Sequence, residues 1–353
     1  MPWSKISQIT EPAFYGSQSA CRKITWTNAI REALREALLS DPSVFIMGQG
    51  VDDPAGMFGV TKDLHKEFGS DRIFDTPLSE TALTGIAVGA AQAGMKPVYF
   101  HNRPDFLYLA MDQLANHAAK WSYMFSGKVA VPMVVWACIG RGWGGAAQHS
   151  QALQALFAHI PGLKVVMPGS CEDAKGLMLS AISDPDPVII IDHRFNMKCS
   201  GPVPEYSYTT PIGKGRVIRE GTDLSLVVTS HLVREAWIAA ARLEQKGISV
   251  EIFDPRTLSP LDKEGILRSL SKTGKLAIAD TGNLSYGFTA EVAALASTEG
   301  FSFLKAPVVR IAAPDLPVPG SHALEQEYYF GHERIYNEIL KMSWQLQKPE
   351  PTI

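Results

Sequence analysis

Short unbroken apolar runs alternate with longer segments of helical spacing along most of this sequence. In the first half the runs fall at 44–47, 97–100, 131–137, 162–168 and 188–192, with the pair Ile73-Phe74 between the first two. Such runs are apolar on both sides of the pleat, as expected of parallel strands covered on both faces. Between them, apolar residues recur every three or four positions, the period of a helix. In 24–41 the residues Ala29, Ile30, Ala33, Leu34, Ala37 and Leu38 share one face, with Thr27 or Asn28 as cap and Pro42 just past the end. Further helices are predicted at 61–68, from Glu80 onward, at 105–126, after Gln148 and at 172–183. The rhythm pauses at 198–212, where a glycine and three prolines stand, and then restarts. Strands are predicted there at 224–229, 250–253, 276–279 and 308–311, and helices at 233–245, 263–272 and 288–298. This alternation predicts an α/β fold of two domains, each a mainly parallel sheet with helices on both faces. The boundaries drawn from it are a flexible arm at 1–22, a first domain at 23–198, a linker at 199–212, a second domain at 213–342 and a loose tail at 343–353.

One stretch, 73–106, concentrates the candidate chemistry. A turn follows Ile73-Phe74, and Glu80 opens the next helix. Ala82, Leu83, Ile86, Ala87, Ala90 and Ala91 give that helix an apolar face, and Gly85, Gly89 and Ala93 keep it slim, so it is predicted to be buried between layers. Glu80 is then a carboxylate at a helix start just past a strand, where open α/β sheets bind ligands. The plainer reading is a helix-capping acid meeting the dipole. His101, Asn102 and Arg103 finish the next strand as polar groups that either touch a ligand or close the loop. Taken alone, Phe106 reads as a core aromatic and His149 as a capping or surface residue. The loop 138–145 before His149 is rich in glycine but lacks GxGxxG or Walker spacing, so it is not read as a phosphate cradle.

Composition narrows the classes. A chain of 353 residues accommodates two domains. A net charge of -3 without a polybasic run points away from nucleic acid and anionic membrane surfaces. No apolar run approaches the roughly 18 residues of a membrane span, and the first residues lack the apolar centre of a signal peptide. Cys21, Cys138, Cys171 and Cys199 have no metal-ligand spacing and read as reduced thiols of a cytoplasmic protein.

The strings TPLSETALTGIAVGAAQAG, MDQLANHAAKW, GAAQHSQALQALFAHIPGLKVVMP, EDAKGLMLSAISDPDPVII and VEIFDPRTLSPLD, in this order and spacing, carry a specific resemblance. The chain resembles, from about 24 to 340, the β subunits of 2-oxoacid dehydrogenase E1 components (pyruvate, branched-chain and acetoin types) in the transketolase-like thiamine diphosphate superfamily. The resemblance implies that the first domain binds the cofactor's pyrimidine and that the second is transketolase C-terminal-like. It gives Glu80 a catalytic hydrogen bond to the pyrimidine N1′ and sets Phe106 against the aminopyrimidine. It also implies that Gln49, Leu78, Ser79 and Asn102 line the cofactor, although the family usually carries an acid where Gln49 stands. His149 matches the active-site histidine that handles the substrate or a proton, and His101 and Arg103 fall where substrate is chosen. Ala181, Ile182, Asp184 and Asp186 match a region that binds potassium, largely through backbone carbonyls. Trp136 replaces a frequent arginine and Arg141-Gly142-Trp143 replaces small residues, which predicts an altered pocket wall or entrance.

The superfamily's metal-diphosphate signature, GDG with a downstream NN, is not found in the sequence. The resemblance therefore implies that an α chain supplies the diphosphate half with its Mg2+, that the active site lies between chains in an α2β2 heterotetramer, and that a 2-oxo acid is decarboxylated with transfer to a lipoyl E2 protein. One rival is a thiamine diphosphate carboligase without a lipoyl acceptor, separable by lipoate-dependent turnover. Another is a non-catalytic partner subunit, against which the joint presence of Glu80, Phe106 and His149 argues.

Overall fold

In the computed structural model, which describes residues 9–10, 22–140 and 144–345, the apolar runs become the centres of two sheets. Most of the expected arm, Cys21, the Arg141–Trp143 replacement and the end of the tail lie outside the described residues.

In chain order, β1 (Ile9–Thr10) and β2 (Lys23–Thr25) lead into α1 (Trp26–Ser40). β3 (Val44–Gly48), α2 (Leu64–Phe68), β4 (Ile73–Phe74), α3 (Glu80–Gln92) and β5 (Lys96–His101) follow. A helical run ending in α4 (Ala119–Met124) leads to β6 (Val134–Ile139), α5 (Gln154–Ala158), β7 (Lys164–Val166), α6 (Cys171–Ser183), β8 (Val188–His193) and β9 (Cys199–Pro202). Then come β10 (Arg216–Arg219), β11 (Leu224–Val228), α7 (Leu232–Glu244), β12 (Val250–Asp254), β13 (Thr257–Ser259) and α8 (Lys263–Thr273). β14 (Leu276–Asn283), α9 (Phe288–Thr298), β15 (Val309–Ala313), α10 (His322–Tyr328) and α11 (His332–Gln345) complete the order.

The first sheet has the order β13-β7-β8-β6-β5-β3-β4 and is parallel except for β13. The second, β10-β12-β11-β14-β15, is parallel except for β10. Helices cover both, as the apolar runs demand: every residue of β3, β6, β8, β11 and β12 is buried. One apolar layer carries α3 on the first sheet and continues to Phe253, Ile278 and Val292 of the second half. Another packs α1 and α6 on the opposite face.

Several expectations need correction. The cap of α1 is Thr25, whose hydroxyl accepts from the Asn28 N–H at 3.2 Å, not Thr27 or Asn28; the predicted inner face is buried throughout. Residues 104–124 do not form one helix. Pro104 starts a tight 3₁₀ turn to Ala110, and a widened π turn spans Asp112–Ala118 before α4. Leu107, Ala110, Leu114 and Ala118 are still buried, so packing against the core overrides a uniform helix. The expected linker begins as β9, paired antiparallel with β2. His149 precedes α5 in a loop and does not open a helix. Only one face of α3 is buried, by Leu83, Thr84, Ala87, Val88 and Ala91; Ala82, Ile86 and Gly89 are exposed in the chain by itself. Trp136 is no pocket wall: it is fully buried, its ring 5.0 Å from Phe100.

Candidate active site

Neighbouring strands end together because parallel register aligns them. Met47 faces Phe74, Gly48 faces Phe100, and His101 faces Ala137. The turns after β3, β4, β5 and β6 therefore gather at one edge, the carboxyl edge where such sheets bind ligands. Close approach there depends on Gly48, which has φ +143°, a value that favours glycine, and a Cβ on it would lie 2.3 Å from the Phe100 carbonyl oxygen. Asp75 ties two of these turns, its carboxylate accepting from the Gly50 N–H at 2.7 Å.

Glu80 is the first residue of α3, half-buried at this edge, with its carboxylate against the positive end of the helix. Leu78 and Ser79 before it are exposed, Leu78 to 78%. Two buried side chains of β5 feel the Glu80 charge. Burial, with that charge added, pushes Tyr99 up to about 12. Burial lowers His101, while its hydrogen bond to the Arg103 carbonyl and Glu80 oppose this, so the imidazole is neutral at pH 7. The His101 Nδ1 lies 3.0 Å from that carbonyl and must donate to it, so the neutral ring leaves Nε2 without a proton. That Nε2 is buried and has no hydrogen-bond partner among the described residues. Asn102 Nδ2 donates to Gln49 Oε1 at 3.5 Å, and its Oδ1 is likewise buried without a partner. Buried polar atoms normally have partners; here two acceptors lie unused on the same edge as a half-buried carboxylate, an arrangement open to a hydrogen-bonding ligand.

The aromatic and imidazole components also meet. The Phe106 ring, half-buried, stands edge-on to His149, with centroids 5.1 Å apart. Their loops are joined by Asp105, whose Oδ1 accepts from Gln151 N–H at 3.1 Å and Gln151 Nε2 at 2.8 Å. The second half of the chain grips the same loop. Tyr329 donates its hydroxyl to the Ser150 carbonyl at 3.3 Å, and Gln154 Nε2 donates to Asp280 Oδ2 at 2.9 Å. Asp105, Gln151, Gln154, Asp280 and Tyr329 were not singled out from the sequence. Asp105 beside Phe106 offered a local signal, whereas Tyr329 and Asp280 come close only through the fold.

Thus Glu80, Gln49, His101, Asn102, Arg103, Phe106 and His149 share one edge, with Leu78 and Ser79 on its rim. Ala181, Ile182, Asp184 and Asp186 do not: they lie where α6 leads into β8, at the other end of the strands. There Lys164 pairs with Asp184 at 2.6 Å and Asp186 at 3.1 Å. Burial would lower this lysine, but the two carboxylates outweigh it and raise it. A recess of about 880 Å3 lined by Tyr123, Gly162 and Lys164 does not include Glu80. The Glu80 edge is an open rim, with Leu78, Ser79 and His149 exposed.

Residues 22–199 match the family "Transketolase, pyrimidine binding domain" and 213–335 match "Transketolase, C-terminal domain". The chain is 42% identical over 333 residues to the β subunit of acetoin:2,6-dichlorophenolindophenol oxidoreductase from Bacillus subtilis, covering 91% of this chain and 97% of that one. It is 40% identical over 312 residues to the mitochondrial pyruvate dehydrogenase E1 subunit beta-1 of Arabidopsis thaliana, covering 87% and 86%. With the β subunit of 2-oxoisovalerate dehydrogenase of Bacillus subtilis it shares 38% over 314 residues, covering 88% and 96%. A split-gene transketolase solved as an inactive β4 tetramer superposes with a TM-score of 0.73 at 24% identity, covering 90% of this chain and 98% of the other, a likeness of fold.

Proposed function

The chain belongs to the transketolase-like family that includes the E1 β subunits of 2-oxoacid dehydrogenases, and from that premise we propose that it is the β subunit of a thiamine diphosphate enzyme that decarboxylates a 2-oxo acid and passes the acyl unit to a lipoyl acceptor. The observation that carries this reading is that the half-buried Glu80, the unused acceptors of His101 and Asn102, and Phe106 against His149 stand on one edge.

When bound, thiamine diphosphate supplies an electron sink for cleavage of the bond between the carboxylate and the carbonyl carbon of the 2-oxo acid. Glu80 would hydrogen-bond the pyrimidine N1′ and hold a proton there. Gln49 and Asn102 would hold the pyrimidine's polar edge, Phe106 would cover its face, and Leu78 and Ser79 would line its approach. Gln49 keeps a hydrogen-bonding amide without the negative charge common at that position. His149 moves a proton at the substrate or holds its carboxylate, and general acid–base help of this kind contributes roughly 10²–10⁴-fold. His101, through Nε2, and Arg103 complete the substrate wall.

Magnesium belongs with the diphosphate on an α chain; among the described residues of this chain no cluster of His, Cys, Asp and Glu is suited to a metal. Potassium, if held at Ala181, Ile182, Asp184 and Asp186, would use backbone carbonyls, because both carboxylates already pair with Lys164. The open rim at Leu78 and the uncovered face of α3 fit a partner chain that completes the site in an α2β2 assembly. Among the described residues no helix is long and apolar enough to cross a membrane, and our reading puts the assembly in the cytoplasm.

The test is reconstitution: this chain, an E1 α chain, thiamine diphosphate and magnesium, with a panel of 2-oxo acids and an artificial electron acceptor. Turnover that requires both chains supports the reading. Tight assembly without turnover of any 2-oxo acid, but with transfer from sugar phosphates to aldehydes, would replace it with the carboligase reading.

A further inference from the structure

The His149 side chain is exposed, and among the described residues its ring meets the Phe106 edge but makes no hydrogen bond. Its position therefore depends on how the backbone behind it is anchored. The Ser150 carbonyl accepts from Tyr329 at 3.3 Å, Gln151 donates to Asp105 at 2.8 Å, and Gln154, the first residue of α5, donates to Asp280 at 2.9 Å. Asp105 belongs to the first domain, Tyr329 and Asp280 to the second. The last anchor is fully internal: Gln154 is 0% exposed and Asp280 1%.

Asp280 lies near the end of β14, and parallel register with β11 brings it to Thr229, the residue after that strand. Its Oδ1 accepts from the Thr229 hydroxyl at 2.5 Å. Its Oδ2 accepts from Gln154 Nε2 and from the Gly282 N–H, both at 2.9 Å. These donors are neutral, and among the described residues no arginine or lysine pairs with this carboxylate. Burial raises Asp280 against their pull. A buried charge without a cation is costly, so packing alone gives no reason to place one here. What the carboxylate supplies is direction: both oxygens are committed, and the Gln154 amide is fixed between Asp280 and the Thr281 hydroxyl, 3.2 Å away. Gly282 permits the approach. A Cβ on it would lie 2.8 Å from Asp280 Oδ2 and 3.2 Å from Gln154 Nε2.

We propose that Asp280 is a positioning residue for His149: from the second domain, and through Gln154, it sets where the imidazole of the first domain stands. This rests on the reading of His149 as the group that handles the substrate or its proton. It makes the second domain part of the geometry of the reaction.

Two readouts test it, and the first needs no turnover. In the isolated full-length chain, the carbon–proton signal of the His149 Cε1 is assigned by its loss in His149→Gln, and the edge-on Phe106 ring makes its shift sensitive to position. Asp280→Ala and Gln154→Met, which keeps the bulk and removes the donor, should each move that signal. The double variant should move it no further than the larger single change, because the two residues act as one unit. In Asp280→Asn the side-chain oxygen takes the place of Oδ2 and the amide nitrogen donates to Thr229, whose hydroxyl can turn to accept, so the signal should stay near wild type. In the reconstituted enzyme, Asp280→Ala and Gln154→Met should lower kcat roughly 10- to 100-fold with KM within about twofold, as a displacement of up to about 1 Å would, and Asp280→Asn should restore most of the turnover. If Asp280→Ala melts low, Gln154→Met carries the test. An unmoved His149 signal in folded Gln154→Met, shifts that add in the double variant, or an asparagine variant as impaired as alanine each overturn the proposal. A moved signal without turnover of any 2-oxo acid by wild type leaves the positioning standing and removes the decarboxylase reading; an unmoved signal with an active wild type does the reverse.

Discussion

The clasp between Asp105 and Gln151 is the most local prediction that links the fold to the chemistry. Asp105→Ala removes the acceptor of two hydrogen bonds, at 3.1 and 2.8 Å, at a position only 6% exposed. Each donor left unsatisfied in a buried setting costs roughly 1–3 kcal/mol; since Gln151 is half-buried, water recovers part, and a loss of about 2–4 kcal/mol in unfolding free energy is expected. Asp105→Asn keeps the Oδ1 acceptor. Its amide nitrogen takes the place of Oδ2, which is buried without a partner, so a loss below about 1 kcal/mol is expected. Burial raises Asp105 against the pull of Gln151 and Arg103, and asparagine removes the charge that burial disfavours. Released from the clasp, the loop no longer fixes His149 against Phe106, and misplacement by about 1 Å lowers turnover on the order of 10²-fold. The assays are urea unfolding and decarboxylation kinetics. The signature is a kcat loss in the alanine variant that exceeds its change in KM, with near-complete rescue by asparagine. Equal damage from both substitutions would show that the charge, not the clasp, matters, and would refute the reasoning.

Two further predictions address the partner and the pH response. Ile86→Glu, on the uncovered face of α3 where Ile86 is 59% exposed, should leave the melting of the isolated chain unchanged but abolish co-elution with an E1 α chain; undisturbed assembly would remove that face from the interface. Asp254, fully buried beside Asp173, is pushed up to about 7 by burial first and then by the Asp173 charge. The folded state therefore keeps a proton that the unfolded chain releases near pH 4, and stability declines as pH rises from there towards 7, by up to about 1.4 kcal/mol per pH unit. Asp254→Asn should flatten that decline in urea melts at pH 5 and 7, and parallel curves for the two proteins would contradict it.

The buried parallel strands were legible because their residues are apolar on both faces, so β3, β6 and β8 stand out without any knowledge of their neighbours. α1 was legible through its period, although its cap was placed two or three residues late. What escaped was set by partners distant in sequence. β13 is three residues long and joins the first sheet only by pairing with β7. The break in the run 104–124 leaves its apolar spacing intact, so periodicity alone cannot reveal it. The small apolar residues of α3 were read as cover for two layers, but composition does not say whether the second layer comes from the same chain. At the site, Glu80 and His149 lie within motif strings and Phe106 was placed only by the resemblance; the fold brings Phe106 and His149 to 5.1 Å. Their supports, Tyr329 on Ser150 and Asp280 on Gln154, required the tertiary structure.

The most direct measurement of the central claim is decarboxylation of a 2-oxo acid by the reconstituted enzyme carrying Glu80→Gln, beside wild type and with assembly checked by gel filtration. Our account predicts intact assembly with turnover lost, because glutamine keeps the shape at the start of α3 but cannot share a proton with the pyrimidine. Near-normal turnover by the fully assembled Glu80→Gln enzyme would contradict it.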